Sequence, residues 1–121
     1  MQRARWRVGA ALAAMTIAGS LTLGSVPGMA AKAKVKARSN DTWKSKHTYI
    51  GKGDRVIWKN PDSEQHDVTF YVGSRFSASL PPGGTVKKRF KKKKTYLYRC
   101  AVHSGIVNGE CQGMCGFVHV V

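Results

Sequence analysis

The chain has 121 residues, with 21 Lys and Arg against 6 Asp and Glu, which gives a formal net charge of +15 at pH 7. This length leaves room for one small domain with a modest core. So basic a chain favours polyanionic partners: anionic lipid, cell-wall polymer, nucleic acid or acidic proteins.

The first 30 residues have the layout of a secretory signal peptide. Three arginines precede an apolar run from Val8 to Leu23, and small residues then lead to a cleavage site after Ala30 or Ala31. An uncleaved membrane anchor is the alternative, but the run is short for a span of roughly 20 residues and is interrupted by Gly and Ser. We therefore predict a signal peptide at residues 1–30 and an exported protein, in the periplasm, at the cell surface or secreted. Export weakens the nucleic-acid option.

The remaining chain reads as a short lead-in followed by strands. Residues 31–42 are basic and of low complexity, and we expect a flexible segment before a single domain over residues 43–121. Short β-prone segments, separated by turn residues, predict strands at residues 47–50, 55–59, 67–71, 85–90, 95–100 and 117–121. Without a helical stripe, this pattern predicts an all-β sandwich or barrel.

A run of basic residues begins within the fourth predicted strand and continues to the start of the fifth. Its members are Lys87, Lys88, Arg89, Lys91, Lys92, Lys93 and Lys94. Two explanations stay open: lysines on an edge strand or hairpin tip prevent edge-to-edge pairing, or they form a polyanion-binding patch. Phe90 continues the alternation begun by Val86, so we predict a core residue there rather than a stacking platform for bases.

The sulfur-containing residues are concentrated near the end of the chain. All three cysteines and two of the four histidines fall within residues 98–121. Export favours disulfides, but three cysteines cannot all pair within one molecule. One thiol is therefore free, joined to another chain or held by a metal ion.

Four donors in this sequence suit a copper ion. Cys100 ends a predicted strand, His103 follows after two residues, and Met114 lies further along the same loop. The best candidate for a fourth donor is His66, which starts a β-prone segment beside a turn. One thiolate, two imidazoles and a weak thioether suit copper in both oxidation states, whereas zinc has little use for a methionine.

Four segments, in this order, resemble those of the small blue copper proteins, the plastocyanin-like cupredoxins. They are GKGDRVIWKNPD, QHDVTF, FSASLPPGGTVKKRF, and TYLYRCAVH followed by GMCGFVHVV. The resemblance covers nearly all of the mature chain and implies an antiparallel Greek-key sandwich of about seven or eight strands. It also implies copper ligands at His66, Cys100, His103 and Met114.

The sequence departs from the family pattern in two places. The gap between His103 and Met114 is longer than the compact ligand loop usual in the family, and it contains Cys111 and Cys115. We interpret these two cysteines as a disulfide that holds the enlarged loop around the axial ligand. Arg99 stands where some relatives carry an exposed aromatic residue, so the exposed edge of His103 is the expected route for electrons.

Three other polar residues receive an interpretation. Asp67 directly follows His66, and we predict that its carboxylate braces the ligand loop through hydrogen bonds. His47 and His119 lie on predicted strands outside the copper pattern, and we interpret them as solvated surface histidines.

The resemblance implies one copper ion, cycling between Cu(I) and Cu(II), in a monomer that carries single electrons and is not an enzyme. We expect redox proteins as partners, acidic ones among them, and neither a small-molecule substrate nor nucleic acid. Two alternatives stay open. One is copper handling at the cell envelope without electron transfer. The other is a zinc-stabilised polyanion-binding module, suggested by the C-x2-H-x7-C-x3-C spacing from Cys100 to Cys115.

The basic run has a predicted position relative to the copper. The five steps from Thr95 to Cys100 span roughly 17 Å at about 3.3 Å per residue. We therefore expect Lys91 to Lys94 at the end of the domain away from the copper, holding the protein near an anionic envelope surface and leaving His103 free.

Overall fold

The structure, a computed structural model, describes residues 31–121, and the predicted signal peptide lies outside the described residues. This part of the chain forms nine strands: β1 Lys32–Ala37, β2 Trp43–Lys44, β3 His47–Ile50, β4 Arg55–Lys59, β5 His66–Val72, β6 Ser77–Leu80, β7 Thr85–Arg89, β8 Thr95–Val107 and β9 Glu110–Val120. Within residues 31–121 there is no helix long and apolar enough to cross a membrane.

The strands form two sheets. The first has the order β2-β1-β4-β7 and the second the order β3-β9-β8-β5-β6. Neighbouring strands are antiparallel except β1 with β4 and β3 with β9, which are parallel. The predicted all-β sandwich is confirmed, with nine strands in the described residues rather than seven or eight.

Residues 32–37 form strand β1, so the prediction of a flexible lead-in is wrong for this segment. The strand pairs with β4 over five positions, from Lys32 opposite Arg55 to Lys36 opposite Lys59. Its lysines are exposed, whereas the alternate positions are partly or fully buried. The segment reads as low complexity because small apolar residues alternate with lysines, yet this alternation has the period of 2 that a half-buried strand requires.

The core lies between the sheets and is rich in aromatic side chains. Tyr98 of β8 is fully buried, with its ring centroid 5.3 Å from that of Trp58 and 5.4 Å from that of Phe70. Phe90 is also buried, which confirms the prediction made from the alternation of β7. Alternate residues of a strand share one face. Packing of Tyr98 therefore also points Cys100, two residues further on, into the interior.

Strands β8 and β9 form a long hairpin in place of the predicted ligand loop. Asn108 and Gly109 join them with φ angles of 51° and 79°, as in the tight turns that favour Asn-Gly. The pairing stops at Arg99 opposite Cys115 and resumes at Ser104 opposite Gly113. Residues 100–103 therefore bulge out of β8, facing a single residue of β9, which is residue 114.

Candidate metal centre

The structure brings three of the predicted ligands together at the bulge. The Sγ atom of Cys100 lies 3.7 Å from Nδ1 of His66 and 3.5 Å from Nδ1 of His103. His66 and Cys100 are fully buried, and His103 is partly exposed. One donor atom from each of the three residues lies within 4.8 Å of the other two.

These separations fit a single metal ion. With bonds of about 2.3 Å to sulfur and about 2.0 Å to nitrogen, the two sulfur–nitrogen distances correspond to angles of roughly 105° to 120° at a shared ion. Such angles lie between tetrahedral and trigonal, as a site with two histidines and one cysteine requires. The donor set therefore suits copper as it stands.

Met114 lies opposite the bulge and is fully buried. The indole Nε1 of Trp43 donates a hydrogen bond of 3.3 Å to its carbonyl oxygen. The preceding residue, Gly113, has a φ angle of 101°, and a Cβ atom there would lie 2.5 Å from the carbonyl oxygen of His103. Close backbone approach thus brings Met114 to the ligand bulge, and its role as axial ligand stays a prediction.

His66 is oriented by a carboxylate that the sequence did not reveal as part of the site. Its Nε2 atom donates a hydrogen bond of 3.0 Å to Oδ2 of Asp62, and this bond holds the pKa of Asp62 below its usual value. Because Nε2 carries the proton, Nδ1 keeps a free lone pair toward Cys100. Asp62 precedes His66 by only four residues in the same turn, and this closeness in the sequence could have indicated the contact.

His103 also faces carboxylates with its outer nitrogen. Its Nε2 atom lies 3.4 Å from Oε1 of Glu64 and 3.6 Å from Oδ1 of Asp41. These three residues and His66 can place one donor atom each within 4.8 Å of one another. The exposed side of the candidate metal centre is therefore acidic, although the chain as a whole is strongly basic.

Asp67 lies where it can brace the bulge. Its carboxylate accepts hydrogen bonds from the backbone nitrogens of Ala101, at 2.9 and 3.0 Å, and of Val102, at 3.4 Å. One of its oxygens also lies 3.5 Å from Sγ of Cys100. Burial raises the pKa of the Cys100 thiol, so a metal ion has to displace a proton from this sulfur on binding.

Arg99 closes the bulge from the other side. Its Nη1 atom donates to the carbonyl oxygen and to the hydroxyl of Ser104, both at 3.1 Å. The Ser104 hydroxyl in turn donates to the carbonyl oxygen of Cys100 at 2.6 Å. Arg99 thereby ties the two ends of the four-residue bulge together, a role that its position before Cys100 did not indicate.

Cys111 and Cys115 form the predicted disulfide, and Cys100 is the free cysteine. The two bonded residues have Cα atoms 6.1 Å apart, whereas four extended steps would span roughly 13 Å. Strand β9 therefore bends sharply beside Met114. Because both sulfur atoms are committed to each other, the alternative zinc module, which needs them as ligands, does not form.

The basic run divides into two parts. Lys88 is half-buried on β7, with its ammonium group 5.1 Å from the ring centroids of Phe76 and Phe90, and burial lowers its pKa. The other six basic residues are exposed: Lys87, Arg89, Lys91, Lys92, Lys93 and Lys94. Because β7 is an edge strand of the first sheet, protection of that edge accounts for part of the run.

Solved structures resemble this chain, although no protein-family model and no curated protein sequence matches it. A purple cupredoxin from Nitrosopumilus maritimus has a TM-score of 0.58 at 20% identity, over 74% of this chain and 99% of that one. The reduced Cu(I) form, at pH 4, of a mutant of amicyanin has a TM-score of 0.58 at 21% identity, over 74% and 82%. A Cu-containing nitrite reductase (NirK) from Thermus scotoductus SA-01 has a TM-score of 0.63 at 20% identity, over 84% of this chain but only 25% of that one.

The chain therefore has the cupredoxin fold. It carries a candidate copper site made of His66, Cys100, His103 and Met114. At these levels of identity the likeness shows the fold, and the function has to be argued from this chain's own residues.

Proposed function

We propose that this protein is an exported, mononuclear blue copper protein that carries single electrons between redox partners and is not itself an enzyme. The observation that carries the proposal is the convergence of two imidazole Nδ1 atoms on the buried sulfur of Cys100, at 3.5 and 3.7 Å. A copper ion held there supplies a one-electron couple between Cu(I) and Cu(II). Export rests on the predicted signal peptide.

The supports around the ligands favour electron transfer over copper delivery. Asp62 orients His66, Asp67 holds the backbone of the bulge, and Arg99 ties its two ends. Electron transfer is fastest when the ligands need not move between oxidation states, and hydrogen-bonded supports of this kind limit such movement. Delivery of copper to a partner instead requires that ligands be displaced.

His103 is the expected point of entry and exit for electrons. Among the three converging residues it alone is partly exposed, with 19% of its side chain accessible. The carboxylates of Asp41 and Glu64 flank its outer nitrogen, so a redox partner that docks there should present a neutral or basic surface. An acidic partner would contact the lysine-rich end of the domain instead.

Electron self-exchange tests this function. In mixtures of the oxidised and reduced copper protein, we expect concentration-dependent NMR line broadening from exchange through His103. The double variant Asp41→Asn/Glu64→Gln should exchange faster, because the carboxylates around His103 no longer repel those of the second protein molecule. The control Asp54→Asn/Glu110→Gln removes the same charge elsewhere and should not increase the rate. No detectable exchange, together with rapid loss of copper to a chelator, would identify copper handling instead.

We also propose that Lys91 to Lys94 hold the protein at an anionic envelope surface. All four side chains are exposed, and they precede β8, whose inner end reaches the candidate metal centre roughly 17 Å away at about 3.3 Å per residue. Each lysine near an anionic bilayer contributes about 1 kcal/mol.

Vesicles containing anionic lipid provide the test of this second proposal. Replacing the four lysines with glutamine should abolish salt-sensitive binding, whereas the control Lys32→Gln/Lys34→Gln/Lys36→Gln/Lys44→Gln should keep most of it. Equal losses in both variants would show that net charge alone, rather than this surface, causes binding.

A further inference from the structure

A second pair of histidines lies on the other face of the second sheet, away from the buried sulfur. His47 of β3 and His119 of β9 are both at least partly exposed. The parallel register sets His47 opposite Phe117 and Tyr49 opposite His119, so the two histidines are diagonal neighbours on one face. Nδ1 of His47 lies 3.0 Å from Nε2 of His119. The two residues lie on the surface, as the sequence suggests, but they contact each other, which the sequence did not indicate.

Neighbouring side chains hold both imidazole rings. Phe117 stacks on His47 with centroids 4.4 Å apart and planes 8° apart, and Tyr49 stacks on His119 at 4.4 Å and 13°. The hydroxyl of Thr95 lies 3.2 Å from Nδ1 of His119. When that hydroxyl accepts the Nδ1 proton, Nε2 of His119 is left with its lone pair facing His47, which is how metal-binding histidines are commonly oriented.

The spacing of the two nitrogen atoms suits one kind of metal geometry. With metal–nitrogen bonds of about 2.0–2.1 Å, nitrogens 3.0 Å apart subtend roughly 95° at a shared ion. This angle is close to that of two adjacent positions in a tetragonal site, which Cu(II) prefers, and falls short of the tetrahedral angle that zinc prefers.

In the structure the two nitrogens are placed to share a proton. The ring centroids are 5.3 Å apart and the planes differ by 16°, so the nitrogens point at each other. An ion can replace that proton when both rings turn out of this shared plane, which gives up part of their stacking on Phe117 and Tyr49. The χ2 torsion of histidine has a broad energy minimum that allows such a turn. Neutral imidazoles bind Cu(II) more strongly than they bind the other divalent first-row ions.

We propose that His47 and His119 form a second, surface-exposed Cu(II) site, with water completing the coordination. The pair has no sulfur ligand, so copper bound there gives no intense blue band. His119 lies several residues along β9 from Met114, so the proposed second site is separate from the candidate metal centre. The inference stands on these side chains alone and does not depend on electron transfer at Cys100.

The test is a titration of the metal-free protein with Cu(II), followed by electron paramagnetic resonance and visible absorption. We expect the wild-type chain to take up two equivalents, the second with a spectrum typical of non-blue Cu(II). His47→Gln and His119→Gln should each lose the second equivalent and keep the first. Lys46→Gln, which changes a neighbouring exposed side chain but neither imidazole, should keep both.

Two results would overturn this inference. One is uptake of a single equivalent by the wild-type chain. The other is a second Cu(II) signal that persists in both histidine variants, which would place that ion elsewhere. If the blue band is absent while the second signal follows His47 and His119, the proposed electron-transfer function fails and this inference stands.

Discussion

The two histidine pairs of this protein lie in the same sheet and differ in what surrounds them. In the first pair, both Nδ1 atoms point at the sulfur of Cys100, and both Nε2 atoms face carboxylates. In the second pair, the imidazoles of His47 and His119 face each other, with a threonine hydroxyl as their further polar neighbour. Burial and hydrogen-bonded supports, rather than the histidines themselves, therefore make an imidazole pair a fixed site.

This difference predicts how readily each pair would release a bound copper ion. The first pair is enclosed by the core, by the bulge of residues 100–103 and by β9. The second pair is held by stacked rings on one sheet face and is open to water. We expect tight, slowly exchanging copper at the first pair and weak, readily exchanged Cu(II) at the second.

Gly113→Ala should have the largest effect, because Gly113 packs against the backbone of the ligand bulge. A side chain at a positive φ costs about 1–3 kcal/mol, and contact with the carbonyl of His103 should add about 1–3 kcal/mol. Gly109→Ala is the matched control, because Gly109 also has a positive φ but open space around it. Denaturant unfolding should show the larger loss for Gly113→Ala, with an altered copper spectrum. Equal losses in the two variants would mean that the approach to His103 is unimportant.

Asp62→Asn should weaken copper binding at the first pair by about 10–100-fold, since it removes the carboxylate that orients His66. Competition with a chelator of known affinity measures this change. Thr95→Val, which removes the corresponding support of His119, should leave the first site unchanged and weaken the second. An Asp62→Asn protein with wild-type affinity would show that burial alone orients His66.

Removal of the disulfide should have a smaller effect. For a closed loop with a sequence separation of 4, the chain-entropy relation gives about 2 kcal/mol. Cys111→Ser/Cys115→Ser should therefore lower the free energy of unfolding by about 2 kcal/mol, and any movement of Met114 should shift the reduction potential. Unchanged stability with an unchanged potential would show that the bend in β9 is maintained without the bridge.

The sequence predicted the sandwich and the converging donors because both leave local signals. Alternation along β5 and β8 reports which face is buried. His66 begins β5, and Cys100 and His103 are close together in the sequence. The same period was present in residues 32–37, where repeated lysine and alanine concealed it. Asn108-Gly109 is likewise a hairpin signal, but the family pattern led to the expectation of a loop.

Other features depend on contacts between distant segments. Asp41 and Glu64 reach His103 from two separate loops, and His47 meets His119 only because β3 pairs in parallel with β9. Strand composition does not specify which strands pair or in which register. The carboxylates beside His103 and the second histidine pair could therefore be recognised only from the structure.

The proposed electron-transfer function requires a copper–thiolate bond at Cys100, and visible absorption tests for that bond most directly. On addition of Cu(II) to the metal-free protein, we predict an intense blue band that Cys100→Ser abolishes, while His47→Gln leaves it unchanged. A wild-type chain without the band, or a serine variant that keeps it, would show that Cys100 does not bind copper as proposed.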